Sequence, residues 1–386
     1  MLFTFQRPMD KLTREIVEFT RDLVRTPSQN HIDSETAVAG LVFERLKSFG
    51  FQPEMIGPDE HPSVICRSGN PSGRKTIWLE SSLDTVPAGD ESKWTHPPFE
   101  AVVEKRKMYG RGSADAKIAI AIFSVLAREL SRDAGFDGSL FLGFDADEQT
   151  GNFTGIREVL TRAPDADVCI LGYQGMKEIS IGARGWLRLR LTIHGRAAHT
   201  GSRSKKGENA IHVMAEVSER MKSSDLGGAT EPFFEFGSSF NTSLIRGGEA
   251  INIVPDRCEA DMDIRLLPSQ TKDDVLERIR TILGESGCRY DLDVLQYERA
   301  FRTDPDDAFV SILRKHASEA LGGDISLVAS GQGSVGNVIS QKGIPIINAF
   351  GVESGNVHAV DEWIHIETIL MVFEIYRQAI KEFCKR

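Results

Sequence analysis

Between Leu79 and Lys117 the chain twice carries an aspartate to the end of an apolar segment. Ile77-Trp78-Leu79 reads as a strand that delivers Asp84 at its carboxyl end. The Gly-rich turn from Gly110 to Ala114 delivers Asp115 just ahead of an apolar helix. In open α/β sheets, ligands gather outside the carboxyl ends of the strands. A single aspartate at a turn or helix cap is ordinary. Two of them, with later segments built the same way, mark a candidate site.

The surrounding periodicity predicts an α/β sheet with substantial parallel character. Residues 11–25 place Leu12, Ile16, Phe19 and Leu23 on one helical face. A second helix is expected from Ser34 to Phe49, with Asp33 or Ser34 as cap and Gly50 as stop. Strands are expected at 63–67, 139–144 and 167–171. A helix over 116–130 is apolar nearly all round and therefore buried. Near Ile179 the pattern changes. Residues 185–194 alternate Leu187, Leu189, Leu191 and Ile193 against Arg188, Arg190 and Thr192, as a half-buried strand does. A helix over 207–222, strands near 242–246 and 257–266, and a helix over 272–285 complete a separate α+β grouping. The α/β pattern resumes with a helix over 306–321, a strand over 344–350 and a closing helix over 366–384. The expected organisation is a discontinuous α/β domain, residues 1–180 and 296–386, interrupted by an inserted α+β, ferredoxin-like domain at 181–295.

With 386 residues the chain is long enough for two cores. A net charge of −10 argues against a nucleic-acid partner, because phosphate binding wants a basic face. The five cysteines are scattered and lack CxxC spacing, which fits a reduced compartment. Met1–Arg14 carries no apolar run of signal-peptide length, and no later run reaches membrane-spanning length. The expectation is a soluble cytoplasmic protein with no membrane partner.

Six spots carry chemistry: Ser82/Asp84, Asp115, Glu148/Gln149, Tyr173, His199 and the Asn356-Val357-His358 turn. With their flanks they resemble the superfamily of acetylornithine deacetylase, succinyl-diaminopimelate desuccinylase, aminoacylase and carboxypeptidase G. The family's Gly-His-x-Asp-x-Val-Pro is met by residues 81–87, with serines in its first two places. Its Gly-Arg-Gly-x-x-Asp-x-Lys is met in full by residues 110–117, and its Asp-Glu-Glu-x-Gly by 147–151. Its histidine strand is met by 195–200, its Gly-x-Asn-Ala by 207–210, its Asn-x-Val-Pro by 252–255, its Asp-x-Arg by 263–265 and its final His by His358.

The resemblance implies a two-metal, usually zinc, hydrolase of C–N bonds with a dimerising insert. It assigns Asp115 as the bridging metal ligand, His358 as a second-site ligand and Asp84 as the partner orienting a first-site His. It further assigns Glu148 as general base, His199 as the group steadying the tetrahedral oxyanion across a homodimer, and Asn252 and Arg265 as groups near the substrate carboxylate or oxyanion. Three ligand positions depart from the pattern: Ser82 replaces His, Gln149 replaces Glu and Tyr173 replaces an acidic residue. One remaining carboxylate ligand cannot offset two divalent ions, so at most one divalent metal, zinc or manganese, is expected at Asp115 and His358, with Gln149 as a weak third ligand. No metal at all is the other reading. Ser82 as a nucleophile would need an adjacent base and an oxyanion hole, which the sequence does not show. Three functions follow. The chain is an amidohydrolase acting on a small N-acyl amino acid or dipeptide-like molecule bearing a carboxylate, an inactive small-molecule-binding homologue, or an enzyme working in the same pocket without metal.

Overall fold

The computed structural model describes residues 9–201 and 207–385. Contacts divide the chain into two compact units. One comprises the chain up to Ile181, Thr303–Val328 and the chain from Ser334; the other comprises Gly182–Arg302 and Ala329–Gly333.

The first unit is built on a six-stranded mixed sheet. Its order is Glu54–Ile56, Ser63–Gly69, Gly138–Asp145, Lys75–Ser82, Val168–Leu171 and Ile346–Ile347. The last four strands are mutually parallel, and the first two pair antiparallel at one edge. Residues Ile77–Ser82 are all buried, as in a strand covered on both faces. The register sets Ser82 beside Asp145 and Glu80 beside both Gly143 and Leu171. Three strands therefore end together, and the loops that follow them meet.

Helices close over this sheet. Lys11–Val24 starts at Asp10, whose side chain accepts from the Thr13 backbone N–H at 2.9 Å. Ile118–Arg132 is buried almost throughout, as its composition requires. Ile369–Lys385 inserts Phe373, Tyr376 and Phe383, the last packing edge-on to Phe309 at 5.2 Å. The helix over Thr36–Ser48 starts later than expected. Glu35 is its cap residue, while the Ser34 hydroxyl accepts from the Thr36 N–H and donates to Glu60 O. The strand expected over 344–350 pairs only at Ile346–Ile347, because Asn348 then turns to bond with Ser180. A small antiparallel sheet, not evident from the sequence, links Val102–Glu104, Lys107–Tyr109, Trp363–His365 and Ser354–Gly355. It sets Tyr109 beside Trp363, and Ser354–Gly355 with Trp363–His365 brackets the His358 turn.

The second unit is a four-stranded antiparallel sheet ordered Ser239–Gly247, Arg257–Leu266, Gly185–His194, Arg289–Glu298. With helices Ala210–Lys222 and Lys272–Ser286 it makes a complete βαββαβ motif. The last strand escapes an apolar-pattern reading because Arg289, Asp291, Asp293 and Glu298 dominate it and it lies at the sheet edge. Leu187, Leu189, Leu191 and Ile193 pack with Cys258, Ala260, Met262 and Ile264 beneath Met214, Val217 and Ile279. The opposite face carries ion pairs such as Arg190–Asp261 at 2.7 Å and Arg188–Asp263 at 3.1 Å. Solvent-exposed pairs of this kind contribute little to stability.

Among the described residues all five cysteines are free thiols, and no helix is long and apolar enough to cross a membrane. Near the start of the first unit, His61 Nδ1 lies 2.6 Å from the buried Glu35 carboxylate, which raises the imidazole pKa. A raised folded-state pKa gives stability that is fully present below the free value of about 6.5 and is lost as pH rises through the folded one. The gap in urea midpoint between wild type and His61→Ala is therefore expected to shrink from pH 6 to pH 9. A gap that stays constant would show that the imidazolium charge plays no part.

Candidate functional site

Asp84 follows the Lys75–Ser82 strand and is fully buried. Its two oxygens accept from the backbone N–H groups of Glu148 at 3.0 Å and Gln149 at 2.9 Å. The loop after the neighbouring strand is thus fastened to the loop after this one. Burial pushes the Asp84 carboxyl up to about 7, against the pull of the Gln149 and Glu148 N–H groups. Within hydrogen-bond reach, Asp84 orients the Glu148–Gln149 backbone rather than a side chain at position 82.

The turn bearing Asp115 is held by Glu362. This buried carboxylate accepts from Arg111 Nη1 at 2.6 Å and from the backbone N–H groups of Ala114, Gly112 and Asp115 at 2.8, 3.1 and 3.1 Å. Gly112 has φ 80°, and a Cβ there would meet Thr85 Cγ2 at 2.5 Å, so glycine is required. Arg111 Nη2 donates to Ala359 O at 3.1 Å, next to His358. Lys117 is buried and donates to Leu23 O and Thr26 O; burial lowers its pKa to about 7, opposed by the Glu362 charge. His358 Nε2 then meets Asp115 Oδ2 at 2.8 Å, and this bond raises the imidazole pKa. The other Asp115 oxygen, Oδ1, is buried with no hydrogen-bond partner.

Glu148 lies just past the Gly138–Asp145 strand, and its Oε1 accepts from the Tyr173 hydroxyl at 2.7 Å. Burial first, and then the charges of Asp115, Asp84 and Asp145, hold the Glu148 carboxyl well above its ordinary range. Burial and the facing Glu148 and Asp115 push the Tyr173 phenol well above its own. Ser82 is buried, and its Oγ has no hydrogen-bond partner; no base touches it.

Behind these residues lies a buried carboxyl pair, Glu80 and Asp145, which nothing in the sequence reading singled out. Trp78 Nε1 donates to Glu80 Oε2 at 2.5 Å. A Cβ at Gly143 would sit 2.0 Å from that oxygen, so the missing side chain makes the notch that holds it. Burial raises both carboxyls, Glu80 to about 8, so the pair retains a proton. Acidic residues inside the apolar runs at Glu80 and Asp145 were the available signal. The same is true of Glu362, while Arg111 and Lys117 stood inside a recognised motif without a role.

The other proposed residues belong to the second unit. His199 is exposed, and its Nδ1 accepts from the Gly201 N–H at 3.0 Å. Asn252 is exposed, and its carbonyl accepts from the Thr200 N–H at 3.1 Å, which keeps it near His199 in the chain path. Arg265 is paired with Asp263 at 2.7 Å.

The donor set does not suit a two-metal centre. Among the described residues no group of three or more His, Cys, Asp and Glu side chains could hold a metal. A phenol whose pKa is raised stays protonated, and a serine hydroxyl is a neutral ligand.

Residues 78–382 match the family model described as Peptidase family M20/M25/M40, and the chain belongs to that family. The succinyl-diaminopimelate desuccinylase of Marinobacter nauticus is 28% identical over 382 residues, covering 95% of this chain and 98% of that protein. The fold is shared with a tripeptidase of Staphylococcus aureus, at TM-score 0.78, 19% identity and coverage of 97% and 99%. It is also shared with a dinuclear metal-binding M20 peptidase of Bacillus subtilis, at TM-score 0.74, 16% identity and coverage of 97% and 99%.

Removing one partner of a buried ion pair costs about 3–5 kcal/mol. Glu362→Ala, which strands Arg111 and three backbone donors, is expected to lower stability by about that amount in urea unfolding at pH 7. A loss below about 1 kcal/mol, the size of an exposed pair, would contradict the role given to Glu362.

Proposed function

We propose that this member of peptidase family M20/M25/M40 cleaves the amide bond of a small N-acyl amino acid or dipeptide-like molecule bearing a carboxylate. The observation that carries the reading is the meeting of Asp115, Glu148 and His358 past the parallel strand ends, in a chain aligned along nearly all of a desuccinylase. Glu148 takes a proton from the attacking water and returns it to the leaving nitrogen. A carboxyl whose pKa is raised by burial suits both steps. Asp84 holds the backbone that presents Glu148, and Glu362 with Arg111 holds the turns that present Asp115 and His358. His199, Asn252 and Arg265 serve the oxyanion or the substrate carboxylate in this proposal.

At most one divalent ion, zinc or manganese, is held, by Asp115 and His358 with Gln149. The protein acts as a cytoplasmic homodimer paired through the second unit. The open edge strand Ser239–Gly247, with Leu244 and Ile245 half exposed, supports the pairing. A second reading, a binding homologue without hydrolysis or an enzyme without metal, is favoured by Ser82, Gln149 and Tyr173 at the ligand positions and by the phenol bound to Glu148.

Glu148→Gln is expected to lower kcat on a responsive N-acyl amino acid by about 10²–10⁴-fold with little change in KM; unaltered kcat would remove Glu148 from the reaction, and an inert panel would favour the second reading. Elemental analysis after a zinc or manganese soak is expected to find no more than one ion per chain, lost in His358→Ala. The triple change Ser82→His, Gln149→Glu and Tyr173→Glu is expected to raise metal content, and no gain would mean that the ligand positions are misplaced.

A further inference from the structure

Glu148 is held at two points. Its backbone N–H donates to Asp84 Oδ1 at 3.0 Å, and its Oε1 accepts from the Tyr173 hydroxyl at 2.7 Å. The other carboxyl oxygen, Oε2, has no hydrogen-bond partner among the described residues. The backbone contact fixes where the side chain starts, and the phenol fixes where it ends. A glutamate side chain otherwise has large rotamer freedom, and a misplacement of about 1 Å can cost about 10²-fold in rate.

Tyr173 is itself firmly seated, in the loop that follows the Val168–Leu171 strand. The Gly172 N–H donates to Glu80 O at 2.8 Å, the Gly175 N–H to Val352 O at 3.1 Å and the Gly351 N–H to Gly175 O at 2.7 Å. A Cβ at Gly351 would meet Tyr173 O at 2.5 Å, so the close approach of these two segments needs glycine. Tyr173 also lines an apolar cavity of about 10 Å³ with Ile118, Ile122, Phe123 and Tyr376, room for no more than one water. None of these contacts uses the hydroxyl. Tyr173 stands where the family pattern has an acidic residue. An ionised carboxylate there would have no proton to donate to Glu148, whereas a phenol has one.

We propose that Tyr173 is a positioning residue for Glu148, holding Oε1 so that Oε2 alone exchanges the proton of the reaction. The role rests on the reading of Glu148 as the base in amide hydrolysis. A proton leaves the attacking water for Oε2 as the new C–O bond forms, and it passes from Oε2 to the leaving nitrogen as the C–N bond breaks. The phenol keeps its own proton through both steps. The hydroxyl acts through Glu148 and not on the substrate, so its loss is expected in kcat rather than in KM.

The test is steady-state kinetics of the full-length protein on a panel of N-acetyl amino acids, with thermal melts to confirm folding. Tyr173→Phe keeps the ring and removes only the hydroxyl. It is expected to lower kcat by at least about tenfold, with KM close to the wild-type value. Glu148→Asp withdraws the acceptor while keeping a carboxylate, and it is expected to lose kcat to a similar extent. Adding Tyr173→Phe to Glu148→Asp is then expected to change kcat by less than about twofold, because the shortened acid no longer reaches the phenol. Wild-type kcat in a folded Tyr173→Phe, a loss confined to KM, or the same fold-loss from Tyr173→Phe in both backgrounds would each overturn the proposal. If Tyr173→Phe melts early, a folded Glu148→Asp with wild-type kcat overturns it instead. A wild type inert on the whole panel sinks the hydrolase reading and this role together. An active wild type that tolerates Tyr173→Phe sinks this role alone.

Discussion

A single carboxylate with four hydrogen bonds holds the site together. Glu362 binds the side chain of Arg111 and the backbone of Gly112, Ala114 and Asp115, and Arg111 in turn binds the carbonyl beside His358. Two turns that are far apart in sequence become one rigid piece, and the 2.8 Å contact between Asp115 and His358 follows from it. Asp84 does the same for the other half by gripping the N–H groups of Glu148 and Gln149. The residues presented to a ligand are few, and the residues that hold them are buried acids. Any change in the exposed group acts against a fixed frame.

That frame brings the side chains of the two halves within hydrogen-bond reach of one another. Tyr173 finds an acceptor in Glu148, and His358 finds one in Asp115, so the side chains satisfy one another. The Ser82 hydroxyl, like the second oxygen of Asp115, is buried without a hydrogen-bond partner. The Glu80/Asp145 pair beneath it keeps a proton where a second full charge would be costly, and Gly143 gives that pair its room.

Much of the architecture could be read directly. The all-apolar Ile118–Arg132 helix and the alternating Gly185–His194 strand announce themselves because burial dictates their composition. The edge strand Arg289–Glu298 does not, because half of its residues face solvent and three of these, Arg289, Asp291 and Asp293, carry charge. The three-residue strands around Tyr109 and Trp363 are too short for periodicity to register, yet they align the two halves of the site. The family resemblance singled out Asp84, Asp115, Glu148 and His358, and the structure brings these four near one another. Glu362, Glu80 and Asp145 had only their place among apolar neighbours to mark them, and the partner of each is decided by tertiary contact.

The Arg111–Glu362 contact spans 251 positions along the chain. During vectorial synthesis the Asp115 turn emerges long before its anchor exists, and the whole second unit, beginning at Gly182, is made in between. Until residue 362 leaves the ribosome, Arg111 lacks the carboxylate it pairs with, so the motif that looks most local in sequence depends on one of the last segments made. A nascent chain of this kind can assemble the βαββαβ unit early, from its own contiguous segments, while the half-built first unit waits. Completion of the Asp115 turn therefore waits for residue 362, so a chain that stops short of it lacks the carboxylate that holds the site.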